Sequence, residues 1–438
     1  MSMDDNLKTT YLQILKNGVK PALGCTEPIA VALAVARASH ELDLLGEKPA
    51  KIVVEVSANI LKNAMGVGIP GTTSKGLLIA SALGALCGDA SLGLEVLQNV
   101  NDDYVLLAQQ MVDEKRVEVK LAQSVCKLYV KAMCWSTNHA SSASIMHAHD
   151  QVVEVICDQK IVLQNKEIAA VACADFEEGA TELSIRQIDA FARNIPFEEI
   201  AFLFESVVLN NRIAQAGLHK AYGLQVGRTL LQQVHRNVMG DSIMTYAMAL
   251  TAAAADARMA GCTLPAMSNS GSGNQGITVT LPVYAVAQRM HSDNESLVRA
   301  LAISHLVAIH IKQHLGKLSA LCGCVIASAG ASCGIVYLLG GGYQQMTYAI
   351  KNMIGNITGM VCDGAKAGCA LKVSSGTSSA VQSALLAIDN ICISAEDGII
   401  EEDIESSILN LARIGSIGMQ PTDEIMLQIM LNKQTCNE

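Results

Sequence analysis

Aromatic side chains are scarce in this chain of 438 residues: they make up 3% of it, and only one of them is Trp. Half of the residues are nevertheless hydrophobic, so the core has to be built mainly from Ala, Leu, Ile, Val and Met. This composition favours closely packed helices with small residues at their contacts. A chain of this length can form two or three domains.

The chain also lacks a basic stripe, and its net charge is −10. Proteins that bind nucleic acid need clustered Lys and Arg to displace counterions from the phosphates, so we predict no nucleic-acid partner. The first residues, Met1–Asp5, are acidic and contain no apolar segment. We therefore expect no signal peptide and a cytoplasmic location, where thiols stay reduced.

Charged residues are missing from 259–288 and from 318–350, and either stretch is long enough to span a bilayer. Two prolines interrupt the first stretch and six glycines interrupt the second. We interpret both as the interior of a helical domain and predict no membrane association.

Local patterns predict an α+β fold, in which an N-terminal α/β domain with a largely antiparallel sheet (1–190) precedes a mostly helical domain (191–438). The predicted strands are 51–57, 116–122, 127–135, 151–157 and 160–164. The predicted helices are 7–18, 27–43, 74–87, 101–113, 184–194, 196–218, 222–239, 242–260, 295–315, 379–390 and 400–415.

Five of the fourteen cysteines lie within 48 residues, at positions 322, 324, 333, 362 and 369. Crowding near glycines in a reducing compartment favours metal ligation over disulfides. No paired CxxC occurs, so an iron–sulfur cluster is expected before zinc. The alternative is that these cysteines are buried and act as small hydrophobic residues.

The spacing of these cysteines limits which of them can share a site. Within a helix, Cys322 and Cys324 would point to nearly opposite faces, and Cys333 would lie about 16 Å beyond Cys322. Cys362 and Cys369 can converge only if the glycine-containing segment between them turns. Three convergent thiolates, from Cys322 or Cys324 together with Cys362 and Cys369, would suit an iron–sulfur cluster with one open iron.

Cys25 precedes a predicted helix start at Thr26-Glu27-Pro28. The positive end of a helix dipole lowers a thiol pKa, so a thiolate at Cys25 could be a base, a nucleophile or a ligand. A loop cysteine without a role is the alternative.

Two segments, 66–71 and 271–276, match G-x-G-x-x-G. Neither predicts a dinucleotide site, because Pro70 interrupts the first and the second lacks a βαβ setting. The second belongs to a polar loop, 268–275, which is either a carboxylate-binding loop or a polar turn. Three histidines without a neighbouring glutamate are predicted to lie on a helix surface rather than in a zinc site. They are His305, His310 and His314.

Five segments resemble the L-cysteine desulfidase family, which is related to the alpha chain of iron–sulfur-dependent L-serine dehydratases. They are PALGCTEP at 21–28, KNAMGVGIPG at 62–71, SNSGSGNQGI at 268–277, LSALCGC at 318–324 and NMIGNITGMVCDGAKAGC at 352–369. Together these segments run over nearly the whole chain.

The resemblance implies a [4Fe–4S] cluster held by three cysteines and a β-elimination that converts an amino acid into 2-aminoacrylate, and then into pyruvate and ammonia. With L-cysteine as the substrate, the leaving group is sulfide. Cys362 and Cys369 match the ligand motif, Cys322 or Cys324 matches the upstream ligand, and Cys25 matches the proton acceptor. The residues expected to hold the substrate carboxylate are Asn63, Ser270, Ser272, Asn274 and Gln275.

Several alternatives stay open at the level of the sequence. One is an L-serine dehydratase with the same cluster, and another is a pyridoxal phosphate lyase that uses Lys75 or Lys366. A third is a non-catalytic iron–sulfur or redox-sensing protein. A homo-oligomer is compatible with the chain, and Cys436 near the C-terminus could block the open iron when substrate is absent.

Overall fold

The computed structural model describes residues 5–123, 126–165, 183–316 and 319–435, and Cys436 lies outside this range. The α+β prediction is confirmed. The strands are β1 (Pro21–Ala22), β2 (Lys51–Val56), β3 (Val117–Leu121), β4 (Tyr129–Trp135), β5 (Ala140–Met146), β6 (Val152–Cys157), β7 (Lys160–Gln164) and β8 (Ala266–Met267).

The first helices are α1 (Asp5–Gly18), α2 (Thr26–Asp43), α3 (Ala58–Ala64), α4 (Leu77–Cys87), α5 (Asp102–Asp113), α6 (Ile185–Asn194), α7 (Phe197–Ile200), α8 (Phe204–His219) and α9 (Val226–His235). The remaining helices are α10 (Ile243–Met259), α11 (Gly273–Met290), α12 (Asn294–Leu315), α13 (Gly323–Leu338), α14 (Tyr343–Ile357), α15 (Cys369–Ile388), α16 (Ile404–Arg413) and α17 (Gln420–Thr435).

The N-terminal sheet has the strand order β3-β2-β4-β5-β6-β7, and only the β2–β3 pair in it is parallel. Its inward positions align across the strands: Val54 pairs with Ala132, Ala132 with Ala143, and Ala143 with Val155. These side chains form one core with α2 and α4, as expected for a sheet that is covered on one face.

Most of the C-terminal part is a bundle of closely packed helices. Where α12 meets α13, a Cβ on Gly330 would lie 2.3 Å from the carbonyl oxygen of Ser304. Only glycine fits at that distance, so the small residues of α13 set the spacing between the two helices. The core of this bundle contains residues from 183–411 and also Tyr11, Leu15 and Val19 of the N-terminal segment.

The N-terminal segment is joined to the bundle by backbone hydrogen bonds. β1 pairs antiparallel with β8, and Ser268 and Ser270 donate to the carbonyl oxygens of Lys20 and Gly18 at 2.8 and 2.9 Å. This pairing holds Cys25 against the helical part of the chain. The domain boundary near residue 190 stays a prediction.

Several predicted element bounds were wrong. The helix predicted over 196–218 is divided into α7, a 3₁₀ turn at 201–203 and α8. The helix predicted over 379–390 already begins at Cys369. No helix of the described residues is long and apolar enough to cross a membrane.

Candidate active site

Cys25 is the residue just before the first turn of α2, and it is 2% exposed. The residue before it, Gly24, has a φ of +69°, and a Cβ at this position would lie 2.4 Å from Cγ of Pro70. The Gly24 carbonyl oxygen accepts a hydrogen bond from Nη2 of Arg258 at 2.7 Å. The backbone at Cys25 is therefore held between the glycine loop at 66–71 and the end of α10.

The Cys25 thiol donates a hydrogen bond to Oε2 of Glu27 at 2.9 Å. The other carboxylate oxygen of Glu27, Oε1, accepts from Nδ2 of Asn63 at 2.9 Å. Asn63 is buried, and its Oδ1 has no hydrogen-bond partner in the described part of the chain. A buried acceptor of this kind is available to a ligand that donates hydrogen bonds.

The predicted low pKa of Cys25 is wrong. Burial raises the pKa of this thiol well above its ordinary value, and the negative charge of Glu27 raises it further, whereas Arg258 opposes them. For Glu27, burial acts to raise the pKa, but the charge of His149 and the hydrogen bond from Cys25 outweigh it, so the pKa is lowered. The proton of the pair therefore lies on sulfur.

Sequence reasoning did not single out Glu27 as a site residue. Its only signal was its position, two residues after a cysteine at a helix start. Its contact with Asn63, 36 residues away, depends on tertiary packing, which no local pattern reports.

Cys322 and Cys362 lie on two extended segments that pair with each other. Leu321 and Val361 form an antiparallel bridge, the Cys322 N–H donates to the Met360 carbonyl at 2.9 Å, and the Cys362 N–H donates to the Ala320 carbonyl at 2.6 Å. The backbone thus places two of the predicted ligands side by side.

Cys322 is the N-cap of α13, whereas Cys324 lies in its first turn. The expectation of opposite helix faces does not apply, because Cys322 is outside the helix. A hydrogen bond with Cys324 is the largest cause of the raised pKa of Cys322, and a contact with Cys362 opposes it. The raised pKa of Cys362 is due first to its contact with Cys322. The thiol of Cys322 is therefore in contact with the thiols of both Cys324 and Cys362.

The segment between Cys362 and Cys369 turns, which is the condition for these two cysteines to converge. Gly364 has a φ of +90°, and a Cβ there would lie 2.4 Å from the Lys62 carbonyl oxygen. The Ala365 N–H donates to the Asn63 carbonyl at 3.1 Å. Cys369 then begins α15 and, with Ala365, packs against the small apolar cluster of Cys25, Val67 and Met259.

Cationic side chains surround these thiols. Lys62 is 2% exposed, pairs with Asp423 and donates to the Cys362 carbonyl at 3.3 Å. Lys366 donates to the Lys62 carbonyl at 3.3 Å, and Lys372 pairs with Asp363 at 2.5 Å. Burial lowers the pKa of Lys312 to about 8 against the attraction of Cys362 and Glu27. The positive charges of these lysines would compensate the negative charge of several thiolates.

The polar loop predicted to bind a carboxylate lies at the start of α11. Ser272 caps this helix, and Ser270 donates to Oδ1 of Asn269, which also accepts from Gln275 at 2.7 Å. Oδ1 of Asn274 accepts from Nη1 of Arg258 at 3.1 Å. Arg258 thereby connects this loop to the backbone beside Cys25.

Four helices, α2, α11, α13 and α15, begin around this site. Arg258 of α10 connects Gly24, just before α2, to Asn274 in the first turn of α11. Oε1 of Gln275 lies next to Gly323 at the start of α13, and Cys369 at the start of α15 packs against the cluster that contains Cys25. Helix N-termini carry partial positive charge and unpaired N–H groups, and they favour anions.

The predicted histidine positions were wrong for two of three residues. His305 is fully buried and contacts Asn269 and Thr280, and His310 is buried and lies 2.6 Å from Glu405. Cys333 is fully buried within α13. In residues 5–123, 126–165, 183–316 and 319–435, no group of three or more Cys, His, Asp or Glu side chains already has an arrangement that could hold a metal ion.

The fold and the site define an α+β protein in which Cys25 and the segments that carry Cys322, Cys324, Cys362 and Cys369 lie at clustered helix N-termini. A model of the serine dehydratase alpha chain family matches residues 91–428, and the chain belongs to this family. The matched region contains the four clustered cysteines and the polar loop, whereas Cys25, Glu27 and Asn63 precede it.

Similar proteins cover the N-terminal segment as well. A UPF0597 protein of Oleidesulfovibrio alaskensis is 49% identical over 428 residues, which are 97% of this chain and 98% of that protein. UPF0597 proteins of Parabacteroides distasonis and Bacteroides thetaiotaomicron are 47% and 46% identical, over 98% and 99% of this chain and 100% of each relative.

Proposed function

We propose that this protein is a lyase that removes the β-substituent of L-cysteine, releasing hydrogen sulfide and forming 2-aminoacrylate, which becomes pyruvate and ammonia. The family relationship supports a lyase related to serine dehydratases. The observation that carries the proposal is the position of the Cys25–Glu27–Asn63 group. Cys369 packs against the apolar cluster that contains Cys25. The carbonyl oxygen of Asn63 accepts a hydrogen bond from the N–H of Ala365, in the turn between Cys362 and Cys369.

We infer that Cys322, Cys362 and Cys369 hold a [4Fe–4S] cluster. The donor chemistry fits, because thiolates are the ligands of such clusters and cationic side chains surround them. We prefer Cys322 to Cys324 as the upstream ligand because its thiol contacts that of Cys362. This contact is the largest cause of the raised pKa of Cys362. When bound, the cluster would supply an open iron that acts as a Lewis acid on the leaving group.

The residues around the cluster ligands would bind the amino acid and remove its α-proton. In this proposal Cys25 is the base, and a positioned base contributes typically about 10²–10⁴-fold to the rate. The substrate carboxylate would lie at the clustered helix N-termini, where Ser270, Ser272, Asn274 and Gln275 shape the start of α11. Asn63 was expected to hold the carboxylate, but its Nδ2 donates to Glu27. Its unpaired Oδ1 would instead accept a hydrogen bond from the α-ammonium group.

The second candidate is an L-serine dehydratase that uses the same residues, with a hydroxyl as the leaving group. The description of the matched family favours this reaction. Initial rates on L-cysteine and L-serine over a range of concentrations, with anaerobically reconstituted protein, decide between the two. A higher kcat/KM for L-cysteine supports the desulfidase, a higher value for L-serine supports the dehydratase, and turnover of neither refutes both.

The third possibility is an iron–sulfur protein without catalytic activity. It would bind iron through the same cysteines yet release neither sulfide nor pyruvate. The two-substrate assay therefore also tests this alternative.

A further inference from the structure

A base at Cys25 has to lose its own proton before it can accept one. In the structure this proton is held in the hydrogen bond from the thiol to Oε2 of Glu27, at 2.9 Å. Thr26 also donates to Oε2, at 3.3 Å. Glu27 is thus the carboxylate in contact with the thiol.

The orientation of Glu27 is fixed from its other side. Its Oε1 accepts from Nδ2 of Asn63 at 2.9 Å, and the Asn63 carbonyl accepts from the Ala365 N–H. The carboxylate thus lies between the thiol at the start of α2 and the turn that precedes Cys369. A nucleophile or base that is hydrogen-bonded to a carboxylate, itself oriented by a third group, is the arrangement by which proteins activate thiols.

We propose that Glu27 is the proton partner of Cys25, and that the two side chains act as one proton-accepting pair in the elimination. This inference rests on the proposed function. Glu27 is a positioning and proton-holding residue in this account, because it acts on the substrate through Cys25.

The thiol proton of Cys25 moves to Oε2 of Glu27, and the resulting thiolate takes the α-proton of the substrate. The electron pair of the broken Cα–H bond forms the Cα=Cβ double bond, and the Cβ–S electron pair leaves with the sulfur. The pair now holds one additional proton. Cys25 gives its proton to the departing sulfide and takes back the proton held by Glu27, which restores the thiol and the carboxylate.

L-Alanine separates proton removal from the rest of the reaction because it has no β-leaving group. Exchange of its α-hydrogen in deuterium oxide, followed by NMR, measures only the action of the base. The substitution Glu27→Gln keeps the size of the side chain and an oxygen acceptor for Asn63 but removes the basic carboxylate. Glu27→Asp keeps the carboxylate at a shorter reach, and Glu41→Gln on the same helix is the matched control.

We expect Glu27→Gln to slow both alanine exchange and turnover of L-cysteine by about a hundredfold or more. Glu27→Asp should recover part of both rates, and Glu41→Gln should match the wild type. Unchanged exchange in Glu27→Gln, or a higher KM with unchanged kcat, would overturn the proposal, because Glu27 would then act after proton removal or only in binding. Wild-type turnover alongside such a result would leave the proposed function standing.

The infrared S–H stretching band of Cys25, isolated by subtracting the spectrum of Cys25→Ala, gives a readout that does not depend on activity. A strong acceptor lowers the frequency of this band, so Glu27→Gln should raise it. The same band in wild type and Glu27→Gln would show that Glu27 does not hold the thiol proton. A wild type that neither exchanges alanine nor turns over L-cysteine or L-serine would refute the proposed function and this inference with it.

Discussion

The buried ammonium group of Lys62 joins the last helix to the segment that carries Cys362. Its Nζ lies 2.5 Å from Oδ1 of Asp423 and 3.3 Å from the carbonyl oxygen of Cys362. α17, although remote in sequence, thereby helps to hold the backbone of a proposed cluster ligand.

Removing one partner of this pair leaves an uncompensated buried charge, which typically costs about 3–5 kcal/mol. We expect Asp423→Asn to lower the free energy of unfolding by about 3 kcal/mol in urea titrations. The exposed pair between Arg289 and Asp241 provides the control, since Asp241→Asn should cost less than about 1 kcal/mol. Equal effects of the two substitutions would show that Lys62 does not need its partner.

Gly364 determines whether the turn between Cys362 and Cys369 can form. Its φ of +90° and the nearby Lys62 carbonyl leave no room for a Cβ. We expect Gly364→Ala to cost about 1–3 kcal/mol and to reduce the bound iron after anaerobic reconstitution. Gly368→Ala is the matched control, because nothing lies within 4 Å of a Cβ there. Similar iron contents in the two variants would contradict the role of the turn.

Single substitutions show whether Cys322 or Cys324 is the upstream ligand of the cluster. Because Cys322 contacts Cys362 and lies just before the first turn of α13, Cys322→Ala should abolish the cluster absorbance. Cys324→Ala and the buried Cys333→Ala should retain it. If Cys324→Ala loses the cluster and Cys322→Ala retains it, the upstream ligand has been assigned to the wrong cysteine.

Cys25→Ala should keep the cluster, since Cys25 is not among the proposed ligands. Its turnover should fall by about 10²–10⁴-fold, the usual contribution of a positioned base. The absorbance spectrum and the rate of pyruvate formation, measured on the same sample, check both parts. Retained activity would place the base at another residue.

We expect Asp256 to make the stability of the protein depend on pH. Burial raises the pKa of its carboxyl to about 6, although the N–H groups of Gly227 and Leu224 oppose this shift. Since the folded pKa exceeds the unfolded value, this contribution to stability is fully present below about pH 4 and is lost as the pH rises through about 6. We expect Asp256→Asn to flatten the pH dependence of the urea midpoint in this window. An unchanged slope would contradict the assignment.

The sequence predicted best the elements with a clear period and a clear start. The helix start at Thr26 and the strand at Lys51 were found to within one residue, because Pro28 and a period of two mark them. β5 was missed because three of its seven residues are Ser. α13 was missed because it is hydrophobic on all sides and rich in Gly, Ser and Cys, so no period distinguishes it.

The candidate site was predictable where residues close together in the sequence determine the local structure. The two glycines between Cys362 and Cys369 permit the turn that joins them. The relation of Cys322 to Cys324 depended on where α13 begins, and the roles of Glu27, Arg258 and Lys62 depended on contacts between distant segments. Such contacts arise from tertiary packing and leave no local signal.

Iron content and sulfide release, measured on one anaerobically reconstituted sample, test the central claim most directly. The account predicts a brown protein with close to four irons per chain, which releases sulfide and pyruvate from L-cysteine in equal amounts and loses both properties in Cys369→Ala. A colourless protein with no bound iron and no turnover would contradict it, and the clustered cysteines would then be part of the hydrophobic core.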